Sequence, residues 1–415
     1  MLRVIVVGGG AAGFFAAINV AELYKDTEVV LIEKTHKLLA KVIVSGGGRC
    51  NVTHACFDNG LLVTHYPRGE KELRSAFSKF TTIDTIEWFK KRGINLKTED
   101  DGRMFPESNT SETIANGLLR MAHDLGVKIK TSIAIKEIVI NDDKTFTLKT
   151  DTEYSPQCDK LIIACGGNAK PENYNWLRNI GHTIVPPVPS LFTFNIPNNE
   201  ITKLMGVSVP SAKIKIANTK LETEGPLLIT HWGLSGPAVL KTSAWGARIL
   251  NGMNYDFTVQ VNWLPSYKEE ALRSLFIEYK EKNAPKNIGG NSPIEIPKRL
   301  WEFFLHNADI NEMSRWADLN KKQLNILVNT LLNDSYEVKG KTTFKEEFVT
   351  CGGVSLKEID FSTMQSKLIP NLFFAGEVLD IDGVTGGFNF QNAWTTAWIA
   401  AQGIGISNLK RKNLT

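Results

Sequence analysis

Cysteine is scarce: Cys50, Cys56, Cys158, Cys165 and Cys351 are the only five, odd in number and without a C-x-x-C pair. That excludes a disulfide framework and a cysteine-built zinc site, and it fits a reducing compartment. No run approaches the roughly 18 uninterrupted apolar residues that a membrane-spanning helix needs. The apolar N-terminus does not read as a signal peptide, because its glycines, Glu22 and Lys25 interrupt any hydrophobic segment. Charge of one sign is also lacking. A net +4 over 415 residues gives no general nucleic-acid footprint. What these absences leave is a cytoplasmic protein of two or three domains, with no membrane partner, no nucleic acid and no metal expected. Its hydrophobic content of 42% and charged content of 22% are ordinary for such a chain.

What is present begins at once. Four apolar residues, Val4 to Val7, read as a buried strand, and Gly-Gly-Gly-Ala-Ala-Gly follows at residues 8–13, leading into an Ala-rich apolar helix to Leu23. This is G-x-G-x-x-G in the context of strand, turn and helix. Gly8 permits the tight turn, Gly10 lets a pyrophosphate approach the backbone, and Gly13 lets the helix pack on the strand. The helix N-terminus then faces the phosphates. A second apolar strand, residues 28–32, ends in Glu33, a carboxylate placed to accept from a ribose diol.

Residues 41–53 are the most distinctive stretch. Ser45 and three glycines precede Arg49, Cys50 and Asn51, a run that favours a loop lying against a ligand. Lys41 and Arg49 offer charge for a phosphate or an anionic ring, and Ser45 and Asn51 offer neutral donors. Cys50 reads as a small buried residue rather than a redox thiol. Residues 58–125 read as mostly helical, with a turn and connection over residues 100–106. Strands follow near residues 127–138 and 145–149, and Lys160 to Ala164 runs into Cys165-Gly166-Gly167.

Pro186, Pro187 and Pro189 mark a boundary. Residues 190–346 read as an insert, mainly β over 190–263 and mainly helical over 264–346, so that 1–189 and 347–415 form one discontinuous domain. That last segment holds a strand ending in Gly376-Glu377. Gly386-Gly387 then opens a final apolar helix, a second helix N-terminus available to a ligand. The fold class expected is α/β: a discontinuous Rossmann-like domain with an inserted β-barrel-like and helical domain. One ligand, FAD, is long enough to reach every one of these loops, whereas NAD has no need of the last two. The Gly386-Gly387 helix start would face the flavin ring, where its dipole would stabilise the charge of the reduced form.

Three stretches, at residues 41–51, 230–237 (Thr-His-Trp-Gly-Leu-Ser-Gly-Pro) and 375–391, resemble the signatures of the BaiN-like (YhiN-like) flavoprotein family. The resemblance spans nearly the whole chain. It implies a FAD-binding Rossmann-like domain interrupted by an insert, and an adenine contact through the backbone of Ile135. It also implies activities such as reduction of conjugated steroid enones or oxidation of aminoacetone. Motifs and resemblance together give the expected cofactor contacts: Gly8, Gly10, Ala12, Gly13, Glu33, Lys34, Lys41, Ser45, Gly48, Arg49, Cys50, Asn51, Ile135, Cys165, Gly166, Gly167, Gly376, Glu377, Gly386, Gly387, Phe388 and Asn389.

His231 is the candidate acid–base residue, since histidine titrates near neutrality and its motif is too glycine-rich for plain core. The leading expectation is an oxidoreductase moving a hydride between FAD and a small or medium organic substrate. With no second G-x-G-x-x-G, NAD(P)H would be a transient visitor. An oxygen-using amine oxidase is the alternative of the same class. A flavoprotein that docks RNA or a protein through its insert is the alternative of another class. The insert lysines Lys268, Lys280, Lys282, Lys286, Lys298, Lys321 and Lys322 are diluted by Glu269, Glu270, Glu278 and Glu281. The oligomeric state stays open.

Overall fold

The structure, a computed structural model, describes residues 1–342 and 349–412. It divides into two compact units, Met1–Ser190 with Phe344–Thr415, and Leu191–Thr343. Ser190 thus goes with the first unit, and the boundary drawn between 346 and 347 lies outside the described residues.

The first unit is built on a seven-stranded sheet in the order Ile359–Asp360, Gln365–Ser366, Leu372–Phe374, Lys160–Ile163, Leu2–Val7, Thr27–Ile32, Lys128–Lys130. The last five strands run parallel. Val4 to Val7 and Lys160 to Ile163 are buried throughout, which is why both segments read as continuous apolar runs rather than alternating ones. The helix Ala11–Leu23 is buried on every side from Ala12 to Ala21 and packs against the final helix, Phe388–Lys412. Phe15 lies at its heart, with ring centroids 4.3 Å from Trp88 and 5.2 Å from Trp394. Leu2–Val7 has Thr27–Ile32 on one side and Lys160–Ile163 on the other, so the chain leaves the first strand in both directions. In open parallel sheets that switch point, beyond the carboxyl ends of the strands, is where a ligand crevice forms.

Two segments differ from the expectation. Arg103–Pro106, read as turn and connection, is a strand between Thr53–His54 and Leu96–Thr98. Its partner Thr53–His54 lies about fifty residues back, so no local periodicity announces it. The proline-rich boundary is also a strand, Ile184–Ser190, paired with Val349–Val354 as a two-stranded ribbon with a bulge between Val185 and Val188. Every strand of such a ribbon is an edge, and an edge can dispense with the donors that proline lacks.

The second unit carries a seven-stranded antiparallel sheet in the order Asp334–Lys339, Asp256–Asn262, Ser208–Ile216, Glu222–Thr230, Gly233–Ser235, Thr193–Asn195, Lys341–Thr342. Its two edge strands are consecutive in sequence, joined by Gly340 alone. The Gly340 N–H donates to the Tyr255 carbonyl (2.8 Å), and its own carbonyl accepts from the Asn195 N–H (3.3 Å). The sheet therefore curls until its edges meet, as a barrel does. Helices Glu269–Lys282, Lys298–Asn307 and Lys321–Leu332 join its core around Phe276, Trp301 and Trp316, all buried. Two further helices, Pro237–Trp245 and Ala247–Gly252, interrupt the part read as mainly β.

Three parallel strands of the first unit are tied at one end by Glu28, which accepts from Arg3 Nε (2.6 Å) and Lys128 Nζ (2.7 Å). Those two cations hold its pKa down at about 2. A depressed carboxylate stabilises the fold above its unfolded value of 4.5 and loses that effect as pH falls through about 2. Arg3 and Lys128 are well exposed, so solvent screening limits the contribution to about 1 kcal/mol. Glu28→Gln is expected to lower urea-unfolding stability by about that amount at pH 7. The difference from the parent should shrink steadily below pH 4.5.

Candidate functional site

Four adjacent parallel strands end at the crevice, and each delivers residues expected from the sequence. Leu2–Val7 ends in residues 8–13, Thr27–Ile32 in Glu33 and Lys34, Lys160–Ile163 in residues 165–167, and Leu372–Phe374 in Gly376 and Glu377. Burial pushes the Cys165 thiol up to about 11, with Lys34 pulling it down and Glu33 and Glu377 adding to the rise.

The glycine turn is set by contact. A Cβ on Gly13 would stand 1.8 Å from the Gly8 carbonyl oxygen, so only glycine lets the helix sit this close. Gly10 is the N-cap, extended and without a side-chain cap, and a Cβ there would meet nothing within 4 Å. The first-turn N–H groups have no intrahelical partner and open onto this space. A Cβ on Gly376 would come 2.8 Å from that of Ala12, so the helix start and the fourth strand end are in contact. Glu33 braces the turn: one oxygen accepts from Gly9 N–H (2.8 Å), the other from the Thr35 N–H and hydroxyl (both 2.9 Å). Remaining lone pairs leave it able to accept from a diol. Ile133 N–H donates to the Glu33 carbonyl (3.0 Å), which brings the strand Ile135–Ile140 to the same edge.

Residues 40–51 are more ordered than a loop. A helical turn from Ala40 breaks at Ser45, and Gly46, Gly47 and Gly48 then take left-handed conformations, as does Cys50. The side chains of this stretch are engaged within the protein. Lys41 pairs with Glu377 (2.6 Å), whose other oxygen accepts from Thr350 N–H (2.9 Å). Arg49 pairs with Glu99 (2.5 Å) and lies 4.0 Å over the Phe105 ring. The Ser45 hydroxyl donates to Val42, and Asn51 Oδ1 accepts from Met104 N–H (3.3 Å). Cys50 is fully buried, and burial pushes its thiol up to about 12, which rules out a reactive thiolate. The contacts this stretch can offer a ligand are thus chiefly backbone.

The final helix starts against the same stretch. A Cβ on Gly387 would be 2.5 Å from the Thr53 carbonyl oxygen and 2.9 Å from Asn51 Oδ1. Asn389 latches the preceding loop through both its amide atoms to Gly383 (2.8 and 2.9 Å). Phe388 packs against both His65 (4.2 Å) and His54 (4.7 Å), whose rings are 6.1 Å from each other, and His54 Nδ1 donates to the Gly386 carbonyl (3.0 Å). Burial lowers the His54 pKa, against a smaller rise from the bond to Gly386. Asp382 is fully buried on Arg68 and Ser190 and fixes the loop before the helix.

Sequence reasoning missed His54, His65 and Thr350. The histidines become neighbours only through the loop packing. Thr350 stands two residues before Gly352-Gly353. Its hydroxyl and the Asn392 Oδ1 are buried without hydrogen-bond partners. The Thr350 hydroxyl stands 2.4 Å from where a Gly167 Cβ would be, at the crevice. Orphan polar atoms, uncapped N–H groups and a wall kept free of Cβ atoms are what a long, polar, phosphate-bearing cofactor requires. His231 is exposed at the turn between Glu222–Thr230 and Gly233–Ser235 of the second unit, 3.9 Å from the Trp232 ring. Among the described residues no group of His, Cys, Asp and Glu could hold a metal, and no helix is long and apolar enough to cross a membrane.

The two glycines separate two kinds of constraint. Gly13→Ala should destabilise the cofactor-free protein by about 2 kcal/mol through overpacking. Gly10→Ala should leave its thermal unfolding unchanged yet weaken FAD binding about tenfold or more, since the new methyl enters the pyrophosphate's space. Thermal unfolding of the apoprotein and FAD titration measure both.

Comparison with known proteins gives this crevice a context. Residues 2–403 match the HI0933-like protein Rossmann domain family. The chain is 31% identical to the ribosomal RNA dihydrouridine synthase of Escherichia coli (strain K12), with 96% of each chain covered. It is 26% identical to the 3-dehydro-bile acid delta(4,6)-reductase of Clostridium scindens, covering 97% of this chain and 98% of that one. Among solved structures, the 3-ketosteroid delta1-dehydrogenase of Sterolibacterium denitrificans shares the fold, with TM-score 0.51, 12% identity and coverage of 98% and 100%. Matched over almost its whole length, the chain belongs to the HI0933-like Rossmann family and is an FAD-dependent oxidoreductase.

Proposed function

We propose that this protein reduces a carbon–carbon double bond conjugated to a carbonyl, and that its substrate is a uracil base in ribosomal RNA. One observation carries the reading. Two relatives aligned over nearly their full lengths are named for substrates as different as ribosomal RNA and a bile acid. Making dihydrouridine from uridine and reducing a steroid enone are nevertheless the same bond change, saturation of C=C beside C=O. The higher identity favours the RNA substrate, and a small conjugated enone is the second reading.

In this reading the N–H groups above Gly10 take the pyrophosphate and Glu33 the ribose. The backbone of residues 45–51 and of Gly166, Gly167 and Gly376 lines the ribityl chain, and the Gly386–Gly387 helix start holds the ring's polar edge. Bound FAD supplies a two-electron hydride carrier, with NAD(P)H as its transient source. The residues named keep the phosphates and the charge of the ring matched to helix dipoles. His231, on its exposed turn, is the proposed proton donor to the carbon next to the carbonyl.

The test is anaerobic reduction of the FAD-loaded protein by NADH or NADPH, followed by two oxidants in parallel. An unmodified ribosomal RNA transcript should gain dihydrouridine, read as a two-hydrogen mass increase in its nucleosides. A 4-en-3-one steroid should oxidise the flavin more slowly. His231→Asn should keep FAD and its reduction by NAD(P)H but lower turnover about 10²-fold or more. Hydrogen peroxide release with a small amine, and no turnover of either conjugated substrate, contradicts the reading.

A further inference from the structure

The Thr-His-Trp-Gly-Leu-Ser-Gly-Pro motif of the second unit lies in an unusual segment. Residues 225–255 contain no Asp or Glu, the longest such stretch in the second unit, and hold Lys241, Arg248 and His231. About half of it folds as the helices Pro237–Trp245 and Ala247–Gly252. Their inner face is fixed: the Thr242 hydroxyl bonds that of Thr223 (2.6 Å), and the Ser243 hydroxyl accepts from Phe192 N–H (3.0 Å). Their outer face presents Trp245, 43% exposed, and Ile249, 47% exposed. Lys241 stands one turn before Trp245 on the same side.

The later helices carry cations paired with acids of the same helix. There Arg273 pairs with Glu269 (2.9 Å), Lys298 with Glu302 (3.6 Å), and Lys282 with Glu278. Those helices show water a surface of mixed charge. The outer face around Trp245 offers an open indole and a cation with no acid on the same segment. That combination fits a polyanion whose units have flat apolar faces: phosphates meet the ammonium and bases stack on the ring.

We propose that the outer face of these two helices docks single-stranded RNA, with a base on Trp245 and a phosphate at Lys241. The proposal rests on the reading that the substrate is RNA, and it adds where on this chain the RNA is held. The test uses the full-length, FAD-loaded protein and a fluorescein-labelled single-stranded RNA of about 20 nucleotides, longer than a single binding surface needs. Binding should weaken steeply with salt and quench tryptophan fluorescence. Trp245→Ala should cost about tenfold in affinity, and Trp245→Phe should recover most of it. Lys241→Ala should reduce the slope of log affinity against log salt by about one. All three variants should keep the flavin spectrum and the rate of flavin reduction by NAD(P)H.

If the parent binds the RNA and all three variants bind it equally well, the RNA is held elsewhere and this inference fails while the RNA substrate stands. If the parent ignores RNA but reduces the steroid enone, the RNA reading itself fails and this surface with it. Preference for anionic phospholipid vesicles over RNA, dependent on Trp245, also overturns the proposal.

Discussion

The approach of one helix to one turn governs the rest of the first unit. Gly13 lies so near the Gly8 carbonyl that a single added carbon would overlap it, at 1.8 Å. Because the helix Ala11–Leu23 sits that close, its unpaired N–H groups open directly above the end of the central strand. Neighbouring parts follow the same constraint. A Cβ on Gly8 would fall 2.3 Å from the Ala164 carbonyl oxygen, and Ala12 and Gly376 touch through small groups. At these positions the wall is therefore backbone, brought together by packing that leaves no room for a side chain.

That surface sorts the charges. Lys41 goes to Glu377, Arg49 to Glu99, and Arg68 to Asp382. Glu33, a bare carboxylate by sequence, turns inward to hold the glycine turn. What remains for a phosphate is the fixed array of N–H groups and the dipole of a buried helix, which need no reorganisation on binding. The paired side chains hold the loops that carry those groups. They connect strand end to strand end, as Glu377 does in bridging Lys41 and Thr350.

Much of this was legible in the sequence, for physical reasons. Continuous apolar runs give buried parallel strands, and glycines at a strand's end give a place where backbone meets ligand, so the four strand ends could be named in advance. The prolines that mark a change of character in the sequence lie in a ribbon strand. What could not be read depends on partners distant in sequence. Arg49 looks like a phosphate ligand until Glu99 and Phe105 are placed beside it by a strand that pairs with Thr53–His54. The stacking of His65, Phe388 and His54 joins segments more than three hundred residues apart. Barrel closure rests on Gly340, one residue between two strands, which no periodicity marks.

The central claim is that this backbone crevice holds one FAD and uses it to saturate a conjugated double bond. The most direct measurement is the cofactor itself: purified protein, denatured, with the released flavin identified by mass spectrometry and counted against the chain. One FAD per chain, restored on refolding with added FAD and reducible without oxygen, is the result predicted. Protein that carries no flavin and fails to take up FAD would contradict the account.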